Sequence, residues 1–284
     1  MVLTVLALSF GDALIKLSSG DFVIWQIFVL RSAIAIPCLV AFMLVKAPAT
    51  LRLPTSVLWT AFRSLLLVVM WISYYVALPH MSLSAAAAAY YTLPIFITLF
   101  SAAFVGDRVS RLGWLSVLLG FVGVLLILKP DVNDFNGYTV LPLFSAMLYA
   151  LAMILTRTKC QEEAPLLLAL ALNLTFVLVG IIATGIVGIM SIDGEGGFLL
   201  APWAAMGGAE WSSMLLLAIA VLIGSVGTAV AYQNGPSSVI GVFDFAYVGF
   251  AVVWSVLFFS ELPDGVSVMG MGLIVLAGVL SLRR

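Results

Sequence analysis

Apolar stretches of about twenty residues recur along the whole chain, cut by short polar or Pro/Gly turns, and no other feature restricts the fold as much. A bilayer core about 30 Å thick is crossed by roughly 20 helical residues. Runs of this kind lie at 2–18, 22–45, 57–78, 82–104, 111–129, 137–157, 164–190, 212–233, 237–259 and 265–282. The expected fold class is therefore an all-α polytopic membrane protein of about ten transmembrane helices. Composition agrees, with 64% hydrophobic and 9% charged residues and a mean hydropathy of +1.24. A soluble domain is roughly half apolar and a quarter charged, so these few charges cannot cover a water-facing surface.

The 12 Lys and Arg nearly balance the 13 Asp and Glu, which removes both a basic nucleic-acid footprint and an acidic partner surface. Cys38 sits in an apolar run and Cys160 in a polar turn beside Arg157 and Lys159, without disulfide or zinc spacing. They read as unpaired, and neither a metal nor a cofactor is expected. The first run starts at Met1 without a basic leader region or an A-x-A site after it, so it reads as a membrane helix. Its abrupt start hints at a short leader ahead of it.

Orientation follows from the basic residues. With the N-terminus cytoplasmic, the inner connections and tail carry Lys46, Arg52, Arg108, Arg111, Arg157, Lys159, Arg283 and Arg284, against Lys16 and Lys129 outside. Both termini are thus expected in the cytoplasm, with the acidic segment 191–211 outside and Trp203 and Trp211 as interfacial anchors.

Shifting the chain by 154 residues lays Tyr90–Asp107 over Asp244–Glu261, matching Phe96 with Phe250, Phe104 with Phe258, and the terminal acids. An internal duplication follows, with residues 1–130 as the first five-helix repeat and 137–284 as the second, together one transport domain. Five crossings reverse the sense of the second copy. The result is an inverted repeat, a plan found among secondary transporters.

The order of features resembles the drug/metabolite transporter superfamily, in its EamA-type ten-helix branch. The likeness is carried by Leu83-Ser84-Ala85-Ala86-Ala87-Ala88-Ala89-Tyr90-Tyr91-Thr92-Leu93-Pro94 with Gly106-Asp107-Arg108, by the glycine-bearing Leu112–Leu128, and by Ser260-Glu261-Leu262-Pro263. Within the branch the chain is most similar to the YddG type of aromatic amino acid exporter. The resemblance implies a bacterial inner-membrane exporter of small metabolites, amino acids by preference, working by alternating access as a monomer. It also places helices three and four of each repeat near the pathway. A nucleotide-sugar or drug transporter of the same superfamily is the alternative, though phosphates need a strongly basic pocket and midplane cations are few.

Ala85–Ala89 presents small residues that allow close helix packing, and Pro94 invites a kink. Together they are either packing or a hinge beside the pathway, with Gly241 and Gly249 as looser counterparts. Trp71, Tyr74, Tyr75, Tyr90, Tyr91, Tyr232 and Tyr247 are cavity candidates, because a phenol in hydrocarbon needs a partner. Tyr74, Tyr75 and Tyr232 read equally as interfacial belt residues.

Ionisable groups inside spans are costly and mark function by default. Asp12 and Arg31 both arrive near the midplane, to pair with each other or to hold a solute's ammonium or carboxylate, and Lys16 competes for Asp12. Asp244, with Tyr247 at i+3 and no basic neighbour in sequence, is the candidate for proton coupling. Arg63, near the cytoplasmic end, reads as snorkelling to headgroups. His80, at a helix end, reads as solvated. An intramembrane enzyme is disfavoured. His80 is the lone imidazole, and Asp12 and Asp244 lack the sequence context of an intramembrane aspartyl dyad.

Overall fold

The computed structural model describes residues 1–18, 22–77, 80, 83–131, 133, 135–189, 197–260 and 262–282, without the side chains of 15–18, 83–85, 197–198 and 259. Expectations that fall on the Lys16 side chain, Glu261, Arg283 and Arg284 lie outside this set. Every regular element among the described residues is helical. The helices are α1 (Val2–Ser18), α2 (Ile24–Lys46), α3 (Val57–Ala77), α4 (Leu83–Tyr90), α5 (Leu93–Phe100), α6 (Arg111–Leu128), α7 (Val140–Thr158), α8 (Pro165–Ile189), α9 (Gly197–Leu200), α10 (Gly208–Asn234), α11 (Ser237–Asp244), α12 (Ala246–Phe259) and α13 (Gly265–Ser281). Eight helical stretches are long and apolar enough to cross a bilayer, and the shorter apolar helices Val2–Leu14 and Gly265–Ser281 fall on the first and last runs of the sequence. The chain is a polytopic membrane protein of about ten helices.

Two of the runs are broken. In the fourth, Pro94 has no N–H to give back to the preceding turn. The Thr92 N–H reaches the Ala89 carbonyl instead, and α5 restarts with Pro94 in its first turn. The ninth run breaks without a proline. There Phe245 and Val248 donate to the carbonyls three residues back, Val242 and Phe245. The Phe245 ring is wholly buried and sits against Gly120 of α6, where a Cβ would come within 2.3 Å of it. A glycine at that seat makes room for the bend.

The broken spans lie against one another through α5 and α11, and Gly241 packs on Ile97. Around them α3 packs along α7, α1 along α10, α2 along α8 and α6 along α13. At the α6–α13 crossing the backbones touch. A Cβ on Gly123 would lie 2.7 Å from the Gly270 carbonyl oxygen, and one on Gly270 would lie 2.6 Å from that of Gly123. Small residues permit this approach in lipid, where close van der Waals packing rather than hydrophobic exclusion holds helices together.

Polar contacts close both ends. Segment 197–207 is clipped to α2, where Gln26 and Ala204 exchange two hydrogen bonds of 2.8 and 2.9 Å. Trp203 and Trp211 stay exposed, as interfacial anchors do. Lys129, after α6, pairs with Asp264, which also caps α13 through the Ser267 N–H. These two donors hold the Asp264 carboxyl below the usual carboxylate range. At the other end the Ser56 N–H donates to Glu163 Oε1 (2.8 Å), Gln233 donates to the carbonyls of Cys160 and Glu163, and Arg157 donates to that of Gly235.

Cys160, in the turn after α7, is a free thiol wholly buried beneath that same network. One expectation needs correction here. Arg63 does not snorkel. It is 1% exposed and turns inward to α7, where its Nε donates to Thr156 Oγ1 at 2.7 Å.

Candidate functional site

The two intramembrane carboxylates are each met by tyrosine. Asp244 is the last residue of α11, at the break itself, and is 5% exposed. It accepts from Tyr232 of α10 (2.6 Å, Oδ2) and from Tyr149 of α7 (3.3 Å, Oδ1). The i+3 neighbour Tyr247 lies past the break and turns away, donating to Asp12 of α1. Buried carboxylates need such donors because hydrocarbon supplies none.

Six of the seven aromatic candidates form one file of touching rings. Trp71 stacks on Tyr75 (5.4 Å between centroids), Tyr75 meets Tyr74 (5.9 Å), and Tyr74 meets Tyr90 (5.3 Å). Tyr90 then meets Tyr91 (5.6 Å), and Tyr91 meets Tyr247 (5.6 Å), whose hydroxyl reaches Asp12. All five separations lie in the favourable range for aromatic pairs. The file crosses from α3 through the end of α4 to α12, passing the first helix break. Trp71, Tyr74, Tyr90, Tyr247 and Asp12 keep partial exposure within the bundle. The seventh candidate, Tyr232, is wholly buried on Asp244, so it is no belt residue.

Arg31 is held between the rings of Phe28 (5.2 Å) and Phe176 (4.6 Å), a double cation–π contact. Its Nε has no hydrogen-bond partner. Asp12 and Arg31 therefore take separate partners, and among the described residues the ion pair is that of Lys129 with Asp264. Pro94 lies in the first turn of α5, just past the break.

Sequence reasoning missed Tyr149, although it sits in mid-run and satisfies the criterion that selected Tyr90. It also missed Trp254, whose Nε1 donates to Ser9 Oγ on α1 at 2.9 Å. The Phe176 face on Arg31 comes from α8, and nothing in the local sequence of α2 announces it.

Tyrosine-capped carboxylates and an aromatic file beside paired helix breaks suit recognition of a solute within the membrane. Residues 1–129 match the EamA-like transporter family. The EamA-like match covers the part of the chain up to the end of α6. Along the whole chain, the pseudopaline exporter CntI of Pseudomonas aeruginosa is 25% identical over 284 residues, which is 100% of this chain and 94% of that protein. A riboflavin transporter of Rhizobium johnstonii is 27% identical over 199 residues, 70% of this chain and 61% of that protein. An S-adenosylmethionine uptake transporter of Rickettsia bellii is 19% identical over 191 residues, 65% and 58%. A solved crystal structure superposes with a TM-score of 0.80 at 20% identity, covering 99% of this chain and 95% of that one, a likeness of fold alone. The matches support the resemblance at the level of the superfamily, whose relatives here are transporters of metabolites.

Proposed function

We propose that this protein exports small metabolites, amino acids with aromatic or other hydrophobic side chains among them, across a bacterial inner membrane by alternating access of two inverted five-helix repeats. The observation that carries the reading is the pair of helix breaks. They fall at Tyr91-Thr92 and at Phe245, and the 154-residue offset lays Phe245 over Tyr91 and Asp244 over Tyr90. Broken helices at corresponding positions of two halves are where secondary transporters bind their solutes.

The packing supports the repeat. Exchanging each span for the one five places away turns the α3–α7 contact into α10–α1, the contact of α4 and α5 with α7 into that of α12 with α1, and α3–α8 into α10–α2, and all of these contacts exist. α2–α8 and α6–α13 each map onto themselves. In each repeat a tyrosine of the third span meets the residue before the break, Tyr232 on Asp244 and Tyr74 on Tyr90, although the 154-residue offset does not lay one tyrosine over the other.

In this reading the partly exposed rings of Trp71, Tyr74, Tyr90 and Tyr247 line the pathway and receive apolar or aromatic side chains. Asp12 receives the ammonium, Asp244 carries a coupling proton, and Pro94 marks a hinge. Pseudopaline, riboflavin and S-adenosylmethionine, for which the relatives are named, are likewise small metabolites. The test is uptake of radiolabelled phenylalanine, methionine and threonine into proteoliposomes, with and without a pH gradient. Saturable flux with counterflow is expected. Unsaturable flux would indicate a channel, and no flux of any of the three would remove the amino-acid reading.

A further inference from the structure

Arg63 is a buried cation that the pathway just described leaves unused. It is 1% exposed, its Nη1 has no hydrogen-bond partner, and no carboxylate pairs with it among the described residues. Among the described residues its anchor is Thr156 Oγ1, whose own proton goes to the Ala152 carbonyl at 2.7 Å. A buried cation without a counter-charge is strongly disfavoured.

Its direction is fixed by the helix that bears it. At 3.6 residues per turn, Arg63, Met70 and Tyr74 fall on one stripe of α3. Met70 accepts the Tyr90 hydroxyl through its sulfur at 3.7 Å, and the Tyr74 ring meets that of Tyr90. Arg63 thus lies on the stripe that meets Tyr90, about 16 Å further along the helix axis from Tyr74, with Leu67 and Met70 packed in the core between them. Facing it from α7 is Thr156, and two turns back on the same stripe of α7 stands Tyr149, the phenol that also serves Asp244. Where α3 begins and α7 ends lies a cavity of about 180 Å³, lined by Ser56, Lys159, Glu162 and the buried Glu163 among others but not by Arg63.

We propose that Arg63 is an anion-recognition residue in the wall of this path, taking the carboxylate of the solute on its free Nη1 edge at the end of the path remote from Tyr74. That the solute is an amino acid rests on the exporter reading. That a carboxylate is bound here does not.

The full chain, purified in neutral detergent, is titrated with phenylalanine, phenylacetate and phenylalaninamide, with tryptophan fluorescence and melting temperature as readouts. The wild type is expected to bind both acids at least about 10-fold more tightly than the amide, and Arg63→Gln to weaken both acids by about 10- to 100-fold with the amide unchanged, the range of one charge-assisted hydrogen bond. Thr156→Val keeps the guanidinium but unpins it, so it carries the test if Arg63→Gln does not fold; a loss of about 3- to 10-fold for the acids alone is expected. Wild-type affinity for acids in folded Arg63→Gln, an unchanged acid affinity in Thr156→Val, or an amide bound as tightly as the acids by the wild type overturns the proposal. Flux in proteoliposomes separates the two readings. Acid binding through Arg63 without flux keeps the site and removes the exporter, whereas flux that Arg63→Gln leaves intact does the reverse.

Discussion

Asp244 shows how one residue is specified by surroundings that its own sequence neighbourhood does not contain. A carboxylate at the centre of a spanning helix costs about 3 kcal/mol on insertion scales, and Tyr232 and Tyr149 offset part of this by donating one hydrogen bond to each oxygen. No basic side chain pairs with it among the described residues, so in the proposed exporter the charge is free to be cancelled by a proton. Asp244→Asn keeps the shape and removes the titration. In the liposome assay it is expected to flatten the pH dependence of flux, and flux with the wild-type pH profile would sink proton coupling at this site. Asp244 was legible as a candidate because ionisable residues are rare in these runs. Its partners were not, since Tyr149 and Tyr232 lie 95 and 12 residues away in sequence.

At the scale of elements, the breaks in the fourth and ninth spans differ in how openly the sequence declares them. Pro94 announces the first, through a missing N–H and a bulky ring. Phe245 announces nothing, because its bend depends on Gly120 of α6 leaving room for the ring. The α6–α13 crossing has the same character, since Gly123 and Gly270 approach each other's carbonyl oxygens without being neighbours in sequence. Gly123→Val is expected to lower the detergent melting temperature through an overpacking cost of about 1–3 kcal/mol. Gly272→Ala, on α13 with no heavy atom near its Cβ direction, should stay within about 0.5 kcal/mol of wild type. Equal effects of the two substitutions would mean that the crossing is not close-packed in solution.

For the whole molecule, the charge bias predicts cytoplasmic termini, and the fold offers positions that test it. The turn at 159–164 between α7 and α8 is then inside, and the segments carrying Asn133 and Gly207 are outside. In a Cys38→Ser, Cys160→Ser background, a membrane-impermeant maleimide applied to intact spheroplasts should label Asn133→Cys and Gly207→Cys at once, and Gln161→Cys only after permeabilisation. The opposite pattern would reverse the orientation. Lys129 and Asp264 join the ends of α6 and α13 on one face, and alternating crossings put both on the outer side.

Local chemistry was enough to reveal helix number, approximate span ends, the kink at Pro94 and the candidate rings, because hydrophobic length and missing hydrogen-bond donors act within a few residues. Partnership was decided by tertiary packing. A span reads the same in sequence whether its Arg63 reaches outward to phosphate or inward to Thr156, and whether Asp12 meets Arg31 or Tyr247, because the helix rotation that chooses between them is set by the faces of other helices. The apolar runs determined that this chain lives in a bilayer. Only the contacts between runs decided which of its few polar side chains are buried together.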